Sequence, residues 1–495
     1  MKKSIVSLFM ISAMLTSLVS CGSEKSPTQN PQGEEFLTRP TKPNYYEEIE
    51  IYVDSIADRY DFSGETFTYI GRDDENFPAN EDISGSVLSN AIYARQGELE
   101  EKFNIKWNYV VTESGDETQN TVIRDFEAGG SSYDLIYGSM LTVGQRLMVG
   151  SMLRDVDDFI NLDLSKEWWI DSLNDTFRLK GHLYFLTGSI VLNNFQDASC
   201  VLYSKKLARE NGIAGLYDLV INGEWTMDKM LESAAKVPVN QNGDGIYRYG
   251  HPSGVDWIFA TGTKITSFTD SGIPYVEPVL TGAVKSIADK MSVELSDETK
   301  TAFLYSLNDY ESEDPTEKYG VEDMRELFIN DKILFWFDYT GSIVNFRDKN
   351  ADIGVLPMPK GDRYQTQYYS YSNPWYGAAV YVPKNIKNAD MTDAVTEAAA
   401  ALSEKYVKPV FYDQMLKNDS AYDNESSAMI DIIFNTKIYD IIDIFSNGSP
   451  DTWGSYMSTL DYAVKTDSTM LPNFYEAYAK NTNEVIRTVM DSIPD

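Results

Sequence analysis

Six aromatic residues, Tyr137, Trp257, Trp336, Tyr339, Trp375 and Tyr376, stand where apolar runs of the sequence give out, and the carboxylates Asp73, Asp74 and Asp338 stand at similar places. Such rings stack on the apolar C–H faces of sugars, while Asp, Asn and Arg take hydroxyls by paired hydrogen bonds. The combination suits an oligosaccharide, and peptides or other polar solutes remain open. The same rings also suit an ordinary core, and the carboxylates a solvated loop or a helix cap. Trp375 is the leading ring, because Ser372-Asn-Pro-Trp-Tyr-Gly377 is a segment bounded by Pro and Gly that exposes a side chain easily. Trp257, in Gly254-Val-Asp-Trp257, comes next.

Covalent chemistry leaves fewer marks. There is no Gly-x-Ser-x-Gly elbow, no P-loop and no His-Glu-x-x-His, and the two imidazoles, His182 and His251, have no triad spacing. The chain therefore reads as a binder and not an enzyme. Abundant carboxylates keep one alternative open, a carbohydrate-active hydrolase with an acid and a nucleophile about 5 Å apart. Asn240, Asn242 and Asp244, followed by Gly245, imitate the start of a calcium loop. Position twelve falls on His251 where a bidentate Glu is needed, so a solvated turn is expected and no cofactor is assigned.

The elements that must position these residues alternate. Phe67 to Arg72 predicts a strand, Val87 to Phe103 a helix with Leu88, Ile92, Leu99 and Phe103 on one face, and Ile105 to Val111 a second strand. A helix closed by Gly129 and Gly130 and a strand over Tyr133 to Tyr137 complete βαβαβ. Right-handed crossovers make that a parallel sheet flanked by helices, with ligands at the carboxyl ends of the strands. A second α/β region starts near Val201, with a helix after Lys205, a helix capped by Thr226 and strands near Ile333, Asp352 and Tyr376. Thr392 to Tyr406, Ser427 to Phe445 and Asn473 to Met490 predict a helical last quarter.

Length and charge bound the class. At 495 residues two or three domains or lobes are expected, and a formal charge of −34 excludes nucleic acid as a partner. Lys2 and Lys3 precede an apolar run too short to span a bilayer, and Leu18-Val-Ser-Cys21 closes it. This resembles the lipobox of bacterial lipoproteins: residues 1–20 as signal peptide, Cys21 acylated (palmitate or a similar chain), residues 21–47 as a disordered tether. The expected location is the outer face of the cell membrane, extracellular or periplasmic. Cys200, left without a partner, is expected to be a small buried core residue.

Four stretches, in order, resemble the family 1 extracellular solute-binding proteins of bacterial ABC importers, in the group like maltose-binding proteins. They are Phe103-Asn-Ile-Lys-Trp through Tyr133-Asp-Leu-Ile-Tyr; Lys180-Gly-His-Leu-Tyr with Val201-Leu-Tyr-Ser-Lys; Glu224-Trp-Thr-Met-Asp; and Phe328 to Trp336 followed by Ile353-Gly-Val-Leu-Pro-Met-Pro-Lys-Gly and Gly377-Ala-Ala-Val-Tyr-Val-Pro-Lys. Ser204 and Asp331 depart from the usual Asn and Gly. The resemblance implies an α/β, two-lobed periplasmic-binding-protein-like fold (type II), each lobe a mainly parallel sheet flanked by helices. Lobe one would hold 48–199 and 340–416, lobe two 200–339 and 417–495. It also implies a monomer that captures a solute in a cleft and delivers it to permease subunits by hinge closure. A surface receptor working without any transporter is the remaining alternative.

Overall fold

The computed structural model describes residues 44–72, 87–170, 174, 176–239, 245–250, 254–277, 281–297, 299–302, 321–347, 351–373, 377–419, 423–445, 463–464 and 467–493. Its first strands are β1 (Glu65–Arg72), β2 (Ile105–Thr112) and β3 (Leu135–Ser139), then the hairpin β4 (Arg178–Leu179) and β5 (His182–Leu183). Next come β6 (Ser199–Ser204), β7 (Tyr247–Gly250) and a second hairpin, β8 (Thr266–Phe268) and β9 (Pro274–Val276). The last are β10 (Ile333–Tyr339), β11 (Ile353–Pro357), β12 (Ser370–Tyr371), β13 (Ala378–Tyr381) and β14 (Lys437–Ile438).

Two four-stranded sheets organise the molecule, one in each lobe. The first has the order β13-β3-β1-β2, with β1 parallel to both β2 and β3 and the edge strand β13 antiparallel. It is the expected βαβαβ unit. Helix Val87–Phe103 joins β1 to β2 and buries Leu88, Ile92, Leu99 and Phe103 as its periodicity requires. Helix Gly115–Glu127 joins β2 to β3. Its start is a reciprocal cap: Glu117 N–H donates to Ser114 Oγ at 3.1 Å, and Glu113 N–H to Glu117 Oε2 at 2.7 Å. Gly129, at φ 72°, ends it in the left-handed region.

The second sheet has the order β11-β6-β10-β7. Here β7, β10 and β11 point one way, and β6 lies reversed between β10 and β11. Three of four strands are thus co-directional in each sheet, but the reversed one is an edge strand in the first and an interior strand in the second. All seven residues of β10 are buried, as befits a strand covered on both faces. Thr226 caps the helix Met227–Ala234 by accepting from Lys229 N–H at 3.3 Å.

Two expectations need correction. β11 pairs with β6, so residues 353–357 belong to the second sheet, and the chain returns to the first sheet after Pro357 and not at Thr340. The span Ser427 to Phe445 is not one helix. Helix Asn424–Asn435 stops at β-branched Thr436, whose hydroxyl donates back to Ile432 O at 2.8 Å, and β14 then pairs parallel with β12 before the short helix Ile442–Phe445. Neighbouring apolar periodicity on both sides hides that break from the sequence.

Candidate functional site

Three segments run side by side where the chain passes between the sheets. They lie just before β6, at β12, and at β14. Ala198 bridges Ser372, Ser370 N–H donates to Thr436 O at 3.0 Å, Ser372 N–H to Ile438 O at 2.9 Å, and Asn373 N–H to Asp197 O at 2.9 Å. A buried ion pair pins this ribbon. Lys437 Nζ donates to Asp197 and to Asn194 O (2.6 Å), and the Ser372 hydroxyl donates to the other Asp197 oxygen. The Asp197 side chain is 0% exposed and that of Lys437 6%. Burial pushes the Lys437 ammonium down, but the Asp197 carboxylate and Tyr439 more than reverse this and hold the amine charged. Removing either charge strands the other away from water.

Two polar clusters adjoin the ribbon, one in each lobe: Asn373 N–H donates to Asp197 O, and Asn193 precedes Asn194, whose carbonyl accepts from Lys437. Tyr339 ends β10 and is almost buried. The Asn373 amide donates to its hydroxyl, which in turn lies 3.5 Å from Asp256 Oδ1. On the first-lobe side the Tyr137 hydroxyl donates to Asn193 Oδ1 at 2.6 Å. Tyr137 ends a row of rings across the sheet, its centroid 6.3 Å from Tyr69, which in turn lies 5.4 Å from Tyr109 and 6.2 Å from Trp107. Asn193 and Asn373 are half-buried. Hydroxyl, amide and carboxylate groups held this way exchange partners readily with a polyhydroxylated solute.

Of the residues singled out from the sequence, Tyr137 and Tyr339 belong to this junction. Asp338 is buried, and its own strand occupies both oxygens: Trp336 Nε1–H donates to Oδ2 and Tyr339 N–H to Oδ1, each at 2.9 Å. Trp336 is a core residue here. It is fully buried, stacked on Phe328 at 5.6 Å and edge-on to Phe346 at 6.0 Å, so its ring leaves no face for a solute. Trp257 is also buried, against Phe337 at 4.7 Å, yet its indole N–H has no partner among the described residues. A buried orphan donor one residue from Asp256 calls for a ligand or water. Cys200 is the buried, inert thiol expected, its pKa pushed well up by burial and by Asp338 and Asp256.

Asp73, Asp74, Trp375 and Tyr376, with Asn240, Asn242, Asp244 and the proposed lipidation residue Cys21, lie outside the described residues. Asn193, Asp256 and Asn373 escaped the sequence reading. Asn373 stands inside the segment chosen for Trp375, and Asp256 next to Trp257, so attention to polar neighbours of the rings finds both. Nothing local marks Asn193. Among the described residues no group of three His, Cys, Asp or Glu side chains is set to hold a metal, and no helix is long and apolar enough to cross a membrane. A shallow hollow of about 490 Å³ along one face of helix Leu471–Ser492, lined by Asn473, Glu476, Lys480 and Asn483, contains none of these residues.

Two α/β lobes whose connecting segments pair in one ribbon, with polar groups beside it, define the type II binding-protein class. Residues 81–408 match the family described as bacterial extracellular solute-binding protein, and the chain belongs to that family. No curated protein matches it by sequence. A cyclo/maltodextrin-binding protein complexed with maltotetraose is similar over 87% of this chain and 99% of its own, at 15% identity and a TM-score of 0.54. UgpB from Mycobacterium tuberculosis, in complex with glycerophosphocholine, is similar over 87% and 99%, at 14% identity and a TM-score of 0.54. The substrate-binding protein Lmo0181 from Listeria monocytogenes, in complex with cycloalternan, is similar over 86% and 99%, at 15% identity and a TM-score of 0.50. At such identities these likenesses establish the fold.

Proposed function

We propose that this protein captures an oligosaccharide between its lobes and passes it to an ABC permease, closing about the ribbon of three paired segments. The observation that supports the reading is a pair of polar clusters adjoining the same ribbon, Tyr339, Asn373 and Asp256 in one lobe and Tyr137 and Asn193 in the other. A solute touching both sides favours the closed form only by its differential affinity for it, which is how occupancy becomes a shape that a permease can read. No covalent step is required. Tyr137 and Tyr339 supply ring edges and hydroxyls, Trp257 an indole donor, and Asp73, Asp74, Trp375 and Tyr376 are assigned to the same site from the sequence. Asp338 and Trp336 support it from behind. Two similar structures hold oligosaccharides, maltotetraose and cycloalternan, which favours that solute class. Cys21 anchors the protein by lipid to the outer face of the membrane.

Thermal melting against an oligosaccharide panel, with product analysis of the same mixtures, tests this. A solute at about a hundred times its dissociation constant stabilises by about 2.7 kcal/mol, and the sugar is recovered intact. Released product supports the hydrolase instead, and a shift only with glycerophosphodiesters or peptides replaces the solute class.

A further inference from the structure

The helix Leu471–Ser492 belongs to neither lobe alone. At its start, the 3-10 turn Ser468–Met470 is tied to helix Gly282–Leu295: the Ser468 hydroxyl donates to Asp289 Oδ1 at 2.8 Å, and Ser468 N–H to Ser292 Oγ at 3.3 Å. Helix Gly282–Leu295 is part of the second lobe, through Lys290 to Asp228 at 2.6 Å and the Tyr249 hydroxyl to Glu294 at 3.5 Å. Midway, Asn483 pairs with both backbone groups of Val276 in β9, at 2.8 and 3.0 Å. At 1.5 Å per residue the helix then reaches about 33 Å from its start.

Its far end meets the first lobe. The Ser151 hydroxyl donates to Ser492 O at 3.1 Å, and Lys180 Nζ to Ile493 O at 3.0 Å. Both donors sit on first-sheet architecture: Arg154 N–H donates to Val382 O at 2.8 Å beside β13, and the chain leaving hairpin β4–β5 bridges β13 at Leu186 and Val380. The last carbonyls of any helix lack intrahelical partners and carry the negative end of its dipole, so a hydroxyl and an ammonium are the groups that satisfy them. Here the other lobe provides them.

Local turns hold both donors: the positive φ of Ser151 (51°) closes the end of helix Gln145–Val149, and that of Lys180 (52°) belongs to the two-residue turn of hairpin β4–β5. Glycine would relax both sites but has no donor.

We propose that Leu471–Ser492 is an interlobe strap. Fixed to the second lobe at Ser468, it limits how far the lobes part through the hold of Lys180 and Ser151 on its carboxyl end. The proposal rests on the two-lobed hinge reading above and not on the identity of the solute. It differs from the hinge itself, because its contacts use none of the ribbon residues.

The test uses spin labels on Glu101→Cys in the first lobe and Glu210→Cys in the second, in the full chain with and without the pair Lys180→Gly and Ser151→Gly. Glycine accepts both backbone conformations, so the pair folds with an undiminished melting temperature. The expected result is a longer mean interlobe distance and a distribution about twofold broader in the unliganded variant. Amide exchange in the last turn of the helix should quicken about tenfold, whether or not the lobes move. Faster exchange with an unchanged distance distribution overturns the strap, since the contacts then restrain nothing; unchanged exchange overturns it as well, since the contacts are then absent in solution. A distance change in the labelled wild type on adding the oligosaccharide found by melting reports the hinge separately, so failure of the strap and failure of the hinge are told apart.

Discussion

The two lobes solve one problem in different ways. Each sheet sets three co-directional strands against one reversed strand, but β13 lies at the edge of the first and β6 in the middle of the second. The first sheet keeps its parallel core in one stretch of sequence, while β6 finds both neighbours more than a hundred residues downstream. Their interiors differ as well. The first lobe buries carboxylates on helix Ala389–Lys408. Asp393 accepts from Ile160 N–H and Asn161, Glu404 from Ser189, and Glu397 from Tyr52 and the indoles of Trp168 and Trp169. The second lobe buries Asp256 and Asp338 on different elements, beside paired rings: Trp336 with Phe328, Trp225 with Phe335, and Trp257 with Phe337. The lesson is that distant pairing builds the middle of the second sheet, while one acid-bearing helix gives the first lobe a pH response of its own.

The largest effect is expected at the joint the lobes share. Lys437→Met leaves the Asp197 carboxylate buried without its cation and should cost about 3–5 kcal/mol in chemical denaturation. The double change Asp197→Asn with Lys437→Met should recover part of that loss.

Next comes the first lobe's pH response. Burial pushes the Glu397 carboxyl from the ordinary 4.5 up to about 7, against the pull of its Trp169, Trp168 and Tyr52 donors. The folded value exceeds the unfolded one, so the contribution is complete below about pH 4.5 and fades as pH rises through 7, by about 3 kcal/mol in all. Glu397→Gln should flatten that part of the stability profile, and an equal slope in both proteins removes Glu397 as its source. Asp134, also in the first lobe and raised to about 6 by burial, steepens the same interval.

Local crowding should rank two sheet glycines, one from each lobe. A Cβ at Gly354 falls 2.2 Å from the Tyr203 ring in the second sheet, whereas one at Gly71 in the first falls 2.9 Å from Tyr137. Gly354→Ala should therefore destabilise by about 1–3 kcal/mol, and Gly71→Ala by less. Reversal of that order would contradict the contrast. Smallest and equal in the two lobes are the caps: Ser114→Ala and Thr226→Ala should each cost about 1 kcal/mol.

How much of this was legible follows from the same contrast. The helix Val87–Phe103, its flanking strands and the cap at Thr226 depend on neighbours within a few residues, so spacing and residue type reveal them. The interior place of β6, the second-sheet membership of β11 and the break at Thr436 depend on partners far along the chain, which periodicity does not encode. At the candidate site, ring type singled out Tyr137 and Tyr339 as ligand-binding candidates, and both hydroxyls engage polar partners beside the ribbon. The same signal overreached at Trp336, because a Trp that ends an apolar run reads alike whether it faces a cleft or Phe328. Asn193 reaches the junction only through the fold of the segment before β6.

The central claim is that a solute held at this junction draws two lobes together, and small-angle X-ray scattering with and without the oligosaccharide found by melting tests it most directly. A smaller radius of gyration at saturation, with the compaction lost when Tyr339→Ala and Asn373→Ala remove the junction contacts, is the predicted result. A radius unchanged by a sugar that demonstrably binds would contradict the account.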